Sequence, residues 1–149
     1  MAADKTVGTL NHLIAVCRDA EEFYGYAAEK VSGSQLQPLL RDTAGLHREI
    51  GDALRPYVSS AGASPAEGGT LAGKFRQLKG GLKATLASDT EAALAPELED
   101  TEQTVVQAFE SALGDPVNDA AKRLIADKLE VLRATHARIA DIARRAAHA

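Results

Sequence analysis

The sequence predicts an all-α protein that folds as a four-helix bundle, and three observations lead to this prediction. Alanine and leucine are abundant while aromatic residues make up only 4% of the chain, a composition that favours helices that approach closely. Four long stretches carry apolar residues at alternating spacings of three and four, which is typical of a helix with one buried face. Segments rich in Gly, Ser or Pro separate these stretches. With 149 residues, we expect residues 1–149 to form a single domain.

The first helix is predicted to begin near Asp4 or Thr6 and to run to Val31, where Ser and Gly residues end it. A polar residue, Glu21, occupies a slot of its apolar stripe. A buried carboxylate is costly unless it is paired, hydrogen-bonded or metal-bound, so the partner of Glu21 becomes the main functional question. The stripe consists of Val7, Leu10, Ile14, Cys17, Tyr24, Ala28 and Val31.

The second helix is predicted from Leu36 to Tyr57. Pro38 falls in its first turn, where proline is tolerated, and we expect Pro56 to loosen its last turn. The connection to the first helix is short, so the two helices should form an antiparallel hairpin.

A linker at 59–69 and a short basic helix at 70–86 follow. A connection of this length can carry the chain along the whole bundle. The sequence therefore predicts the ferritin-like arrangement, a four-helix bundle with one long crossover between its second and third helices that contains a short helix.

The third helix is predicted to begin near Ser88, with a kink or restart at Pro96. Gly114 suits its end. Asp115 is then the expected N-cap of the fourth helix, which should run to about Arg145.

Each long helix places an ionisable residue in its stripe, namely Glu21, His47, Glu102 and either Lys128 or His136. Counting residues from the two interhelical turns, at 1.5 Å per residue, places Glu21, His47, Glu102 and Lys128 at the same depth along the bundle axis. His136 lies roughly 12 Å further along the fourth helix. Tyr24 is close enough in sequence to hydrogen-bond this layer.

Two hypotheses explain the layer. In the first, Glu21, His47, Glu102, Lys128 and Tyr24 form a hydrogen-bonded polar core that fixes helix register. In the second, Glu21, His47 and Glu102 hold Fe, Mn or Zn, with Lys128 competing against the metal. A full di-iron site is excluded, because both Glu-x-x-His pairs that it requires are broken, at Ala44 and Arg133.

The crossover is the one strongly basic stretch of the chain. Its cationic, amphipathic pattern is compatible with an anionic ligand or a membrane surface, and also with lysines that simply face water. The candidate anion-binding residues are Lys74, Arg76, Lys79 and Lys83.

The opening LNHLIAVCRDAEEFYGYAAEKV and the crossover GTLAGKFRQLKGGLKATL resemble an uncharacterised bacterial family of ferritin-like four-helix-bundle proteins, a domain of unknown function. Asp19 and Tyr24 match the early motif of that family, and Ala20 replaces its Gly. The resemblance implies a ferritin-like fold, and it implies no activity or catalytic residue.

The charge, the cysteine count and the absence of long apolar runs limit the kinds of function that the sequence predicts. A net charge of −4 argues against nucleic acid as a partner, and a single cysteine excludes an internal disulfide. No signal peptide or membrane span is visible, so we expect a cytoplasmic protein, with a homo-oligomer left open. We expect an interaction or stress-associated protein rather than an enzyme. The alternatives are a reduced metal-binding bundle and an anionic-ligand or membrane-surface binder.

Overall fold

The computed structural model describes residues 5–30, 36–67 and 95–147, and these contain four α-helices and no β-strand. The predicted all-helical four-helix architecture is confirmed. The predicted basic crossover helix, with Lys74, Arg76, Lys79 and Lys83, lies outside the described residues. The helices are α1 (Thr6–Lys30), α2 (Leu36–Ser60), α3 (Ala95–Leu113) and α4 (Asp119–Ala147).

Helix α1 is the most buried element, with 14 of its 25 residues in the core. Its buried face is wider than the single stripe expected from the sequence, because Leu13, Val16, Ala20 and Phe23 are buried as well. This width reflects two neighbours, since α1 packs against both α2 and α3.

Contacts at the helix ends fix the directions of the helices. The Lys5 backbone N–H donates to the Pro116 carbonyl at 2.9 Å, and the Thr9 hydroxyl donates to an Asp115 carboxylate oxygen at 2.7 Å. The start of α1 therefore lies beside the end of α3, and the two helices are antiparallel. Gln37, at the start of α2, donates to the Ala28 carbonyl at the end of α1, so α2 is also antiparallel to α1.

The pairs in contact place the four helices at the corners of a square. Helices α1 and α2 pack together most extensively, α3 and α4 form a second hairpin, and α1·α3 and α2·α4 join the hairpins. Helices α2 and α3 consequently face each other across the diagonal, through the centre of the core.

The predicted start of the third helix near Ser88 lies outside the described residues, and Pro96 is the second residue of the described α3 helix. The start of α4 differs from the sequence prediction for a local reason. The N-cap of α4 is Asn118, not Asp115: the Asn118 side-chain oxygen accepts from the Ala121 N–H at 2.8 Å, and Asp115 is already engaged by Thr9.

Helix α2 continues through Pro56 to Ser60, and a glycine then ends it. Gly62 has a φ of 83°, and its N–H donates to the Ser59 carbonyl, while the Ala63 N–H reaches the Val58 carbonyl. This is a Schellman motif, in which a left-handed residue lets the chain satisfy the last helical carbonyls.

Candidate functional site: a buried Tyr–His–Glu cluster

Three ionisable side chains from three helices meet in the centre of the bundle. Tyr24 (α1), His47 (α2) and Glu102 (α3) each have 0% exposure. The Tyr24 hydroxyl donates to Glu102 Oε1 at 2.9 Å, and His47 Nε2 lies 2.8 Å from the same oxygen. We call these three residues the core cluster.

The Tyr24 ring also fixes the position of the imidazole. The two rings stack with centroids 5.3 Å apart and planes inclined by 24°. On the other side of the imidazole, His47 Nδ1 lies 2.7 Å from the Thr43 carbonyl oxygen. A carbonyl only accepts, so Nδ1 carries a proton and donates it.

The contact between His47 and Glu102 is a close charge contact rather than an aligned hydrogen bond. The two atoms are at ion-pair distance, yet the direction of the Nε2 bond leaves this nitrogen without a hydrogen-bond partner among the described residues, and Glu102 Oε2 has none there either. Because both atoms are buried, the energy of this contact is mainly electrostatic and depends on both groups being charged.

The pKa of His47 reflects two opposing effects. Burial is the largest and lowers the pKa, but the close contact and negative charge of Glu102, the Thr43 carbonyl and the charge of Glu21 together raise it above the usual 6.5. The cationic form of His47 is therefore favoured by its surroundings.

The other two groups near Glu102 are held protonated. Burial raises the pKa of Tyr24 well above its usual value, and the charge and hydrogen bond of Glu102 raise it further. Burial likewise raises the pKa of the Cys17 thiol, with smaller contributions from Glu102 and Glu21. Cys17 is consequently a packing residue and not a thiolate nucleophile.

Glu21 does not lie in the buried layer where the sequence analysis placed it. Its side chain is 23% exposed and its Oε1 is 3.8 Å from the Arg18 guanidinium. The seam of α1 is continued instead by Ala20 and Tyr24, both at 0% exposure. The buried carboxylate of the core is Glu102.

Lys128, the cation predicted for the layer, forms no ion pair there among the described residues. Lys128 is half-buried on α4, and none of the carboxylates in the described ranges lies within ion-pair distance of it. The positive partner of Glu102 is His47. His136 is half-buried on α4, and within the described residues no hydrogen bond or ion pair joins it to the core cluster.

A small cavity of about 50 Å³ lies beside His47, between α1 and α2. Its size is sufficient for several water molecules. The segment after α2 forms one wall, because Asn11 accepts from the Ala66 N–H at 2.7 Å and Arg55 donates to the Ala66 carbonyl at 3.1 Å. The cavity is lined by His47, Cys17 and Gly51 and by six charged residues of both signs: Arg18, Glu21, Arg48, Asp52, Arg55 and Glu67.

One feature of this region was not predicted from the sequence: the close approach of α1 and α2 at Gly51. A Cβ atom at this position would lie 3.2 Å from Cys17 Cβ. The signal that could have revealed it is a glycine on the buried face of a helix interior, where glycine costs helix stability and therefore indicates a packing requirement.

The donor set does not match a metal centre of three or more protein ligands. Within 5–30, 36–67 and 95–147, no three His, Cys, Asp or Glu side chains are grouped so that they could hold a metal ion. None of the described helices combines the length and apolar character that a membrane span requires.

Comparison with known proteins gives one positive result. The family model named Domain of unknown function (DUF2383) matches residues 5–115, which include α1, α2, α3 and all three residues of the core cluster. Neither the search of curated proteins nor the search of solved structures found a match. The chain belongs to the DUF2383 family of domains of unknown function.

Proposed function

We propose that this chain is a ferritin-like four-helix bundle with one long crossover, and that its core cluster has a structural rather than a catalytic role. The helix directions support the arrangement: α2 and α3 both run antiparallel to α1, which is the order in which a ferritin-like bundle places its second and third helices. On this proposal the protein is a non-enzymatic interaction or stress-associated protein of the cytoplasm.

The observation that carries the proposal is the complete burial of the cluster. Tyr24, His47 and Glu102 have no exposed surface, so a substrate has no direct access to them. Their polar atoms engage one another and the Thr43 carbonyl instead. Buried polar groups that contact one another in this way can specify one arrangement of helices, because another register would separate Glu102 from both Tyr24 and His47.

Two other functions are less well supported. A metal-binding bundle based on Glu21, His47 and Glu102 requires Glu21 in the core, but Glu21 lies at the edge of the cavity and pairs with Arg18. Binding of an anionic ligand or membrane through the crossover depends on residues outside the described ranges. Both stay predictions from the sequence.

Thermal denaturation distinguishes a structural cluster from a functional one. Removing a structural polar group from the core lowers stability, whereas replacing an active-site residue commonly leaves stability unchanged or increases it. We therefore expect Glu102→Gln and Tyr24→Phe to lower the Tm. The matched control is Glu110→Gln, which removes an exposed carboxylate from the same helix, 3.1 Å from Arg133, and should change stability by less than about 0.5 kcal/mol. An unchanged or higher Tm for both core variants would contradict the structural role.

A further inference from the structure

We propose that the core cluster is a proton-controlled latch between the two helical hairpins: the bundle is closed while His47 and Glu102 hold a proton between them, and it opens between the hairpins when that proton leaves. This inference rests on the proposed structural role, to which it adds a regulated state.

The location of the cluster makes it a connection between two preformed units. Tyr24 and His47 belong to the α1–α2 hairpin and Glu102 to the α3–α4 hairpin, so both of their contacts with Glu102 cross the interface between the hairpins. Within the first hairpin the helices are in intimate contact at Gly51 and Cys17. Between the hairpins, packing is less extensive, and it is weaker between α2 and α4 than between α1 and α3. A change at the cluster therefore acts on the weaker interface.

The geometry determines which proton matters. His47 Nδ1 keeps its proton because it donates to the Thr43 carbonyl within the same helix. The proton that can leave is the one on Nε2, 2.8 Å from Glu102 Oε1. After it leaves, a nitrogen lone pair faces a buried carboxylate that has lost its counter-charge, and breaking a buried pair in this way is strongly destabilising.

The groups that face His47 come from every side of the site. Glu102 of α3 and Glu21 of α1 favour the protonated form, and Tyr24 contributes a neutral stacked ring. No charged side chain of α4 contributes to the pKa shift of His47 among the described residues. The cavity beside His47 offers water a path towards the imidazole, and its wall carries further charges of both signs, from Arg18, Arg48, Asp52, Arg55 and Glu67.

Hydrogen exchange measured by mass spectrometry on the full chain, at about pH 6 and about pH 9 and corrected for the intrinsic effect of pH, tests the latch. We expect protection of the core segments of α1 and α3 to fall by at least about tenfold at the higher pH, because loss of the Nε2 proton leaves the buried Glu102 carboxylate without its partner. The His12→Gln variant should behave like the native chain, because His12 is an exposed histidine on the same α1 helix.

Two variants make the test specific. In His47→Gln and in Glu102→Gln, the fall in exchange protection between about pH 6 and about pH 9 should disappear, since neither variant retains the charge pair. Glu102→Gln also keeps a polar side chain beside Tyr24. A native chain whose protection does not change with pH would overturn the latch, as would a Glu102→Gln variant with the same fall as the native chain. Failure of the proposed structural role has a different signature, namely core variants with an unchanged Tm at about pH 6.

Discussion

Removing one member of the His47–Glu102 pair should be far more damaging than replacing both members. Each residue is completely buried, and Glu102 Oε1 receives both the Tyr24 hydroxyl at 2.9 Å and the His47 contact at 2.8 Å. The perturbations are His47→Leu and Glu102→Leu, separately and together. Leucine is a good helix former and fills a comparable volume, so that the lost charge dominates the effect.

The expected magnitudes follow from the geometry of the pair. Each single variant leaves one buried ionisable group without its partner, which costs about 3–5 kcal/mol. At about 2–4 °C per kcal/mol for a chain of this size, the Tm should fall by about 6–20 °C. Replacing a whole buried pair by apolar residues is often close to neutral. The complete replacement includes Tyr24→Phe, because the Tyr24 hydroxyl would otherwise lose its acceptor.

The assay is urea denaturation followed by circular dichroism at about pH 6, with the free energy of unfolding compared across the single variants, the double variant and the triple variant. We expect the triple variant to be more stable than either single variant, and the coupling energy of the double-mutant cycle to exceed about 2 kcal/mol. Additive losses, within about 0.5 kcal/mol of the sum of the single variants, would falsify the conclusion that the two groups compensate each other.

Four further predictions concern other parts of the structure. Gly45→Ala should stabilise the chain by up to about 1 kcal/mol, since nothing lies within 4 Å of the added Cβ. Gly51→Val should instead destabilise the chain by about 1–3 kcal/mol, because the larger side chain forces α2 away from Cys17. Equal effects of the two variants in denaturation curves would contradict the close approach of the helices. Asn118→Ala should lower the free energy of unfolding by about 1 kcal/mol through loss of the α4 N-cap. Asn118→Asp, which keeps a capping oxygen, should retain the native stability. The stabilisation that comes from protonated His47 should be complete below about pH 6.5 and should be lost as the pH rises through its raised pKa, so the Tm should decline in that direction and not towards mildly acidic pH. Addition of Zn²⁺, Mn²⁺ or Fe²⁺ to metal-free protein should leave the Tm unchanged; an increase that grows with metal concentration would favour the metal-binding alternative.

The helical periodicity of the chain was sufficient to predict the architecture. Long stretches with apolar spacings of three and four, separated by turn residues, leave few alternatives to a helical bundle. Counting residues from the turns also placed His47 and Glu102 at one level, and the structure brings these two side chains together. Depth along a helix is predictable in this way because the rise per residue is constant.

The rotation of a helix about its own axis, which decides which residues face the core, was harder to predict, and Glu21 illustrates the reason. A narrow stripe through Cys17 and Tyr24 passes through Glu21, but α1 packs against two helices and buries a broad face. With a broad buried face, the edge of the stripe shifts by one residue position, so that Ala20 is inside and Glu21 lies at the edge of the cavity. The sequence alone does not reveal how many neighbours a helix has.

The N-cap residue predicted for α4 was wrong for a related reason. Asp115 is a good N-cap residue by type, and Pro116 directly after it fits the first turn of a helix. The side chain of Asp115 is instead engaged by Thr9, 106 positions away in the sequence. This long-range contact leaves the capping role to Asn118.

The protonation state of His47 tests the central claim most directly. Long-range ¹H–¹⁵N spectra of the imidazole, recorded at about pH 6 for the native chain and for Glu102→Gln, report whether each ring nitrogen carries a proton. We predict that both nitrogens of His47 are protonated in the native chain, as expected for a buried imidazolium paired with Glu102, and that Nε2 loses its proton in the variant. A neutral imidazole in the native chain, or the same protonation state in both proteins, would contradict the account of the core cluster as a charge pair joining the two hairpins.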